Sequence, residues 1–227
     1  MKNSQQGNLT RSALVKFLVG IVAVGALLFL PAGTIHYGGA WRLLGVLFIP
    51  MFIFGLVARI CSPDLLARRL QAKEERSQQG ALVKLSGLIF VVGFVVAGLD
   101  FRFGWSRVSE VAVWCACGLF LIGYLLYAEV MRENVWLSRT IEVSEGQKVI
   151  DKGLYGVVRH PMYLATVLMF LAIPVILGSW WAVIPFAGYL PVIATRAVDE
   201  ERFLAVELEG YADYCRRVRW RIVPFVW

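Results

Sequence analysis

The chain has 227 residues, of which 59% are apolar, 13% aromatic and only 17% charged. Soluble domains average about half apolar and a quarter charged residues, so this composition excludes an ordinary soluble domain and indicates an integral membrane protein. The formal net charge of +7 does not indicate nucleic acid, because the chain has no recognisable nucleic-acid module. Basic residues in a membrane protein serve orientation and contact with anionic head groups, so membrane lipids are the expected partners.

Four apolar runs each approach the twenty residues that a helix needs to cross the hydrocarbon core. They predict four membrane spans, at Ala13–Ala32, Leu43–Ile60, Leu82–Leu99 and Val108–Ala128. The first run follows a few basic residues, as in a signal peptide, but it has the length of a full span. We therefore expect it to be retained as the first helix.

Two shorter apolar segments, Tyr163–Leu177 and Trp180–Thr195, are joined by Gly178 and Ser179. At 1.5 Å per residue each covers about 22 to 24 Å, which is less than the core thickness of about 30 Å. They are either kinked full spans or a shallower hairpin, and in both cases their ends return to one side. The sequence therefore predicts an all-α polytopic membrane protein with four long spans and a C-terminal helical hairpin, about six membrane segments in all.

Lysine and arginine are distributed unevenly among the connections. Connections on one side of the membrane carry twenty of these residues and those on the other side carry three. The positive-inside rule then places both the N-terminus and the C-terminus in the cytoplasm. The polar connector from Glu129 to Arg159 is expected to lie near the head groups on that side, and the residues from Val198 onward predict an amphipathic helix at the interface.

The first group of residues with chemical potential lies between Gly153 and Tyr163 and contains one of the chain's two histidines. Pro161 favours extended geometry at His160 and is itself suited to the first position of a helix. A glycine-containing loop that leads into a helix N-terminus can hold an anionic group on free N–H groups. The residues alone leave two interpretations open, since Arg159 and His160 can also serve as interfacial anchors.

The second group follows the hairpin. Arg196 and Glu200 lie four residues apart, near one face of a helix, and Glu201 is adjacent. They can form an ion pair that anchors the helix, or the arginine can bind a carboxylate or phosphate while the acids bind an ammonium or ribose hydroxyls. No zinc-ligand or disulfide spacing is present, so no metal site is expected at Cys61, Cys115, Cys117 or Cys215.

Together these groups resemble the isoprenylcysteine carboxyl methyltransferase family and the related phospholipid methyltransferases. The resemblance rests on Gly-x-Tyr-x-x-x-Arg-His-Pro-x-Tyr at 153–163 and Arg-x-x-x-Glu-Glu at 196–201. It extends to Tyr-x-x-Tyr at 211–214 and to Arg-x-x-Pro ending at Pro224. These motifs cover about the last third of the chain, and Arg-His-Pro alone is less specific because membrane sterol reductases carry similar elements.

The resemblance implies an S-adenosylmethionine-dependent methyltransferase with a cofactor pocket on the cytoplasmic face. Residues 1–128 would form the four-span membrane region, and residues 129–227 the catalytic region of connector, hairpin and tail. Arg196, near the methyl-transfer point, and Glu201 are the implied catalytic residues. The implied acceptor is a lipophilic or prenylated molecule, such as an isoprenylcysteine-type carboxylate or a related lipid. The implied cofactor contacts are Gly153, Tyr155, Gly156, Arg159, His160, Tyr163, Glu200 and Glu201.

Two other functions remain open at this point. One is a nicotinamide-dependent membrane reductase of the sterol type using NADPH, to which the Arg196–Glu201 pattern is less suited. The other is a non-enzymatic small transporter, which the absence of charged residues deep in the first four spans disfavours. The sequence does not decide the acceptor, the methylated atom or the oligomeric state.

Overall fold

The structure is a computed structural model that describes residues 2–61, 77–134, 136–137, 143–144 and 146–227. The described part of the chain forms helices and turns, with one isolated parallel bridge between Val158 and Trp220. A short 3-10 turn covers Gly153–Gly156. The α-helices of the described residues are α1 (Lys2–Ala32), α2 (Gly38–Cys61), α3 (Ser77–Phe103), α4 (Glu110–Glu133), α5 (Pro161–Ile176), α6 (Val183–Ala187), α7 (Tyr189–Glu207) and α8 (Tyr211–Arg217).

The first four helices are long and apolar enough to cross a membrane, over residues 11–32, 38–57, 80–103 and 110–133. They leave large aliphatic side chains exposed, such as Val22 at 70% and Leu125 at 71%, which suits helices whose solvent is lipid. The predicted all-α polytopic membrane fold with four long spans is confirmed. The basic residues predicted for the connection at 62–76 lie outside the described residues.

The C-terminal hairpin extends to the far end of the helix bundle. Its turn contacts the end of α3, where the Ser179 hydroxyl donates to Asp100 at 2.5 Å. The Tyr37 hydroxyl, just before α2, donates to the Leu177 carbonyl at 2.6 Å. The hairpin therefore reaches the level at which α3 ends rather than stopping partway, and its returning limb is broken into α6 and α7 at Gly188.

Asp100 fixes this turn through a buried polar network. Its side chain is 1% exposed and accepts from the Ser106 N–H at 2.8 Å, from the Ser106 hydroxyl and from the Ser179 hydroxyl. A buried carboxylate requires such donors, because without them its desolvation is not compensated. The network joins α3, the connection to α4 and the hairpin turn.

The outgoing limb of the hairpin packs along α4, with which it shares the most extensive helix contact in the described structure. Gly123 of α4 allows this close approach, because a Cβ there would lie 2.5 Å from the Met169 side chain and 3.1 Å from the Ala165 carbonyl oxygen. Small residues at helix interfaces permit this kind of packing in membranes. The start of α5 is thereby held beside the carboxyl end of α4.

The amphipathic segment after the hairpin differs from its prediction. It is two helices rather than one, since α7 ends at Glu207 and Gly210, with φ of 82°, precedes α8. Leu208, Tyr211 and Tyr214 are buried in a cluster that includes Val143 and Val149 of the connector. The apolar face therefore covers the connector, and the prediction of one continuous helix is wrong for these residues.

We predict that Ser179→Ala lowers the stability of the protein by about 1–3 kcal/mol, because it removes a donor to a buried carboxylate. Thermal unfolding in detergent measures the effect. Ser86→Ala is the matched control, since the Ser86 hydroxyl donates to the Leu82 carbonyl of its own helix. Equal melting temperatures for the two variants would contradict the proposed role of the Asp100 network.

Candidate active site

The site begins at the carboxyl end of α4, where the Glu133 side chain caps the 3-10 turn. Its two carboxylate oxygens accept from the Leu154 N–H at 3.2 and 3.0 Å. Gly153 has φ of 57°, and a Cβ at this position would overlap the Glu133 carboxylate, so only glycine fits. The turn presents Tyr155, whose hydroxyl accepts from the Asn134 side-chain amide at 2.9 Å.

The C-terminal tail pairs with the loop that leads into α5. The Arg159 N–H donates to the Trp220 carbonyl at 2.9 Å and the His160 N–H donates to the Arg221 carbonyl at 2.8 Å. Pro161 follows and has no N–H. The expected use of free backbone N–H groups to hold an anion therefore fails at these three residues, and ligand contacts there depend on side chains.

Glu201 joins three segments of the chain through one carboxylate. Its Oε1 lies 3.1 Å from His160 Nε2 and 3.0 Å from Arg159 Nε, while its Oε2 accepts from Arg221 Nε at 2.9 Å. The Arg159 contact is an ion pair by distance, but its N–H direction does not meet hydrogen-bond geometry. The side chain of Glu201 is only 11% exposed, so the guanidinium groups of Arg159 and Arg221 compensate a largely buried charge.

The ionisation of Glu201 follows from these contacts. Burial alone raises its pKa, but hydrogen bonds from His160 and Arg221 and the charges of His160 and Arg159 together hold the pKa below its ordinary value of 4.5. Glu201 is therefore a carboxylate at neutral pH.

A second hydrogen-bonded chain lies on the other side of His160. Arg196 Nε donates to the Tyr163 hydroxyl at 3.2 Å, and that hydroxyl donates to Glu200 Oε2 at 2.5 Å. The Tyr163 ring stacks on His160 with centroids 5.2 Å apart and an interplanar angle of 23°. His160 Nδ1 is 4.0 Å from Glu200 Oε2, so the adjacent glutamates Glu200 and Glu201 lie at opposite nitrogens of one imidazole.

A pocket lies between the connector, α5, α7 and α8. Of the predicted site residues, six line it: Tyr155, Arg159, His160, Tyr163, Arg196 and Glu200. Gly153 and Gly156 bound the turn that carries Tyr155, and Glu201 is not among the lining residues but lies behind His160. The other lining residues are Asn134, Trp136, Leu137, Gln147, Lys148, Val149, Ile150, Met162, Leu204, Leu208, Tyr211 and Tyr214.

Two tyrosines on α8 differ in a way that the sequence did not reveal. The Tyr214 hydroxyl donates to the Tyr155 carbonyl at 2.7 Å. The Tyr211 side chain is 4% exposed and lines the pocket, and its hydroxyl has no hydrogen-bond partner among the described residues. Buried hydroxyls are normally paired, so this one is available to a ligand.

Arg221 is the other site residue that sequence reasoning missed, although it lies in the Arg-x-x-Pro motif. Its guanidinium contacts Glu201, and its carbonyl accepts from the backbone of His160. The motif indicated that the C-terminal tail contributes to the site, but its spacing did not indicate that Arg221 contacts Glu201.

Comparison with known proteins gives a family match and several relatives. A family model for phospholipid methyltransferases matches residues 111–208, which include α4, the connector, the hairpin and the Arg196–Glu201 motif. Delta(14)-sterol reductase TM7SF2 of Mus musculus is 30% identical over 127 residues, which is 49% of this chain and 30% of that protein.

Two further relatives extend the comparison. Delta(14)-sterol reductase of Arabidopsis thaliana is 28% identical over 124 residues, 49% of this chain and 33% of that protein. Cobalt-zinc-cadmium resistance protein CzcN of Cupriavidus metallidurans is 31% identical over 132 residues, 56% of this chain and 57% of that protein. The chain thus spans about a third of each sterol reductase and just over half of the resistance protein.

We predict that the Glu201 contacts stabilise the protein at neutral pH and are lost in acid. Because the pKa of Glu201 is lowered in the folded state, its contribution is fully present above the ordinary value of 4.5 and disappears as the pH falls through the lowered value. Glu201→Gln should melt several degrees below the wild type at pH 7, and the gap should narrow below about pH 4.5.

Thermal unfolding between pH 3 and pH 7 measures the difference in melting temperature between the wild type and Glu201→Gln. Glu209→Gln is the control, because Glu209 is exposed and this change should leave the melting curve unaltered. A gap between wild type and Glu201→Gln that does not depend on pH would contradict the assignment.

Proposed function

We propose that this protein is an S-adenosylmethionine-dependent methyltransferase that acts on a lipophilic acceptor, a proposal that starts from the match of residues 111–208 to the family model for phospholipid methyltransferases. The observation that carries the proposal is the pocket itself. Its lining combines the Arg-His-Pro-x-Tyr residues before and within α5 with Arg196 and Glu200 of α7. Both motifs that resemble the methyltransferases therefore contribute side chains to one cavity.

The lining suits the cofactor chemically. S-adenosylmethionine carries an ammonium, a carboxylate, ribose hydroxyls and an aromatic base. The pocket offers the Glu200 carboxylate for the ammonium or hydroxyls, the Lys148 ammonium for the carboxylate, and the rings of Trp136 and Tyr163 beside the base. The unpartnered Tyr211 hydroxyl gives one further polar contact that the protein alone leaves unused. When bound, the cofactor supplies a methyl group made electrophilic by its sulfonium.

The two glutamates have different proposed roles. Glu200 lines the pocket and is a direct ligand for the cofactor's polar end. Glu201 is a positioning residue, because it holds the imidazole of His160 and the guanidinium groups of Arg159 and Arg221 from behind the wall. The catalytic contribution expected of Glu201 is thus exerted through His160.

Methyl transfer is an in-line displacement, so positioning the nucleophile is most of the catalytic work. Arg196 is anchored by its hydrogen bond to the Tyr163 hydroxyl and can orient an ionised carboxylate, which needs no general base. An amine acceptor must lose a proton, and Glu200 is then the candidate base. Because the pocket sits against helices that expose apolar side chains to lipid, we propose an acceptor that enters from the bilayer.

We also propose that the pocket and both termini lie on the cytoplasmic side. The charge distribution along the connections supports this orientation, since basic residues concentrate on the side that carries the site.

A nicotinamide-dependent sterol-type reductase is the second candidate. The supporting observation is the identity of about 30% to two Delta(14)-sterol reductases over half of this chain. The same pocket would have to hold the nicotinamide cofactor, so the two candidates are separated by which cofactor binds there.

We predict that purified protein in detergent binds S-adenosylhomocysteine. His160→Ala should weaken this binding at least tenfold because it removes the imidazole from the pocket wall, and Glu201→Ala should do the same because it removes the carboxylate that holds the imidazole. Isothermal titration measures the affinity. Binding of NADPH with no binding of S-adenosylhomocysteine would replace the transferase with the reductase.

Within this experiment the two α8 tyrosines provide a matched pair. Tyr211→Phe should weaken S-adenosylhomocysteine binding about five- to tenfold, as expected for one lost hydrogen bond, with no loss of thermal stability. Tyr214→Phe removes the hydrogen bond to Tyr155 and should lower the melting temperature. Identical effects of the two changes would argue against a ligand contact by Tyr211.

We predict that Arg196→Ala lowers turnover by at least tenfold while changing the S-adenosylhomocysteine affinity by less than about threefold, because the arginine positions the acceptor. Methyl transfer to N-acetyl-S-farnesyl-L-cysteine and to phosphatidylethanolamine measures turnover for a carboxylate and an amine acceptor. Arg202→Ala is the control, since the Arg202 side chain on the same helix is 77% exposed. Equal losses of turnover and affinity in Arg196→Ala would indicate a structural role only.

A further inference from the structure

The tail loop, residues 219–227, closes its backbone on itself. The N–H groups of Arg221, Ile222 and Val223 donate to the Trp227 carbonyl at 2.9, 3.0 and 3.2 Å, and the Trp227 N–H donates to the Val223 carbonyl at 3.1 Å. Irregular backbone can enter a poorly hydrated region only where its polar groups are satisfied by protein. The bonds to the Trp227 and Val223 carbonyls satisfy five backbone N–H groups of the tail loop within the loop itself, since the Val226 N–H also donates to the Val223 carbonyl.

One side of the tail loop is packed against the apolar hairpin. Ile222 is 3% exposed and belongs to a buried cluster with Tyr163 and Val167 of α5 and Ile193 of α7. Val167 is six residues past Pro161, about 9 Å along the helix at 1.5 Å per residue. The tail loop therefore lies beside the first two turns of α5, at the level where the apolar helix begins.

The other side of the tail loop carries apolar side chains that stay largely exposed, although the Phe225 ring touches the Trp220 ring at a centroid distance of 5.7 Å. Phe225 is 86% exposed and Val226 is 75% exposed. Phe225 also has φ of 66°, a conformation that costs a bulky residue about 1–2 kcal/mol. The backbone adopts this costly conformation and leaves an aromatic ring exposed. Exposure of the ring to water is itself unfavourable, which indicates an apolar environment outside the protein.

The flanking residues identify that environment as the membrane interface. The Arg219 guanidinium lies 5.6 Å from the Trp220 ring centroid and the Arg221 guanidinium lies 5.1 Å from that of Trp227. Tryptophan is enriched at the boundary between head groups and acyl chains, and arginine attracts anionic head groups. Val157 is also 52% exposed, and it directly precedes Val158, which pairs with Trp220 of the tail loop.

We propose that the tail loop inserts Phe225 and Val226 into the head-group and acyl boundary of the leaflet on the side of the site. The Arg221 carbonyl holds the His160 backbone and its guanidinium holds Glu201, so the bilayer in turn supports the wall of the pocket. The inference does not depend on which reaction the pocket performs.

The test uses the full chain in nanodiscs of phosphatidylcholine and phosphatidylglycerol at about three to one. An environment-sensitive fluorophore is attached at Phe225→Cys in a background whose native cysteines are replaced, and Glu209→Cys, an exposed position, is the control. We expect blue-shifted emission at position 225 and at least threefold stronger quenching by spin-labelled lipid than at position 209. Equal quenching would overturn the proposal, and a blue shift without lipid quenching would assign the surface to a second copy or another protein.

A second pair of variants keeps the native cysteines. Aspartate tolerates positive φ better than phenylalanine, so Phe225→Asp should be neutral or stabilising if the loop faces water. If the loop is inserted, Phe225→Asp should lower the melting temperature in nanodiscs by several degrees relative to Phe225→Leu. A melting temperature for Phe225→Asp equal to or above that of Phe225→Leu would overturn the proposal.

Discussion

The carboxylate of Glu201 is the contact on which the geometry of the site depends. It lies five residues beyond Arg196 on α7, yet it meets His160 and Arg159 before α5 and Arg221 in the tail. These segments meet only because the hairpin carries the chain to the far end of the bundle and back. Asp100 fixes the turn of that hairpin with three donors, so two buried carboxylates at opposite ends of the hairpin set where its limbs lie.

Two adjacent glutamates thereby acquire different environments. Glu201 is enclosed by cations, which keeps it ionised and makes it a support for the imidazole. Glu200 lines the pocket and receives the Tyr163 hydroxyl, so it remains within reach of a ligand. The proposed methyl transfer would use this division, because it depends on a rigid wall that places the cofactor and on separate groups that contact it.

The sequence predicted the parts of this arrangement that depend on local pattern. Hydropathy located the four long helices, and the return of the hairpin to one side correctly brought His160 near Glu200 and Glu201. It did not separate the two glutamates, because which one faces the pocket depends on the rotation of α7. The tail pairing was also hidden, since it uses backbone carbonyls of Trp220 and Arg221 that any residue possesses. The sequence does not distinguish Tyr211 from Tyr214, because the two differ only in whether a hydrogen-bond acceptor lies beside the hydroxyl. The orientation in the membrane and the acceptor remain predictions.

The most direct test of the account is an experimental structure of the protein in a lipid nanodisc with S-adenosylhomocysteine. The account predicts ligand density in the pocket between His160, Tyr163, Glu200 and Tyr211, with Glu201 still bound to His160 and Arg221 behind the wall. Density for the ligand at another place, or a pocket filled by a nicotinamide cofactor from a mixture of both, would contradict it.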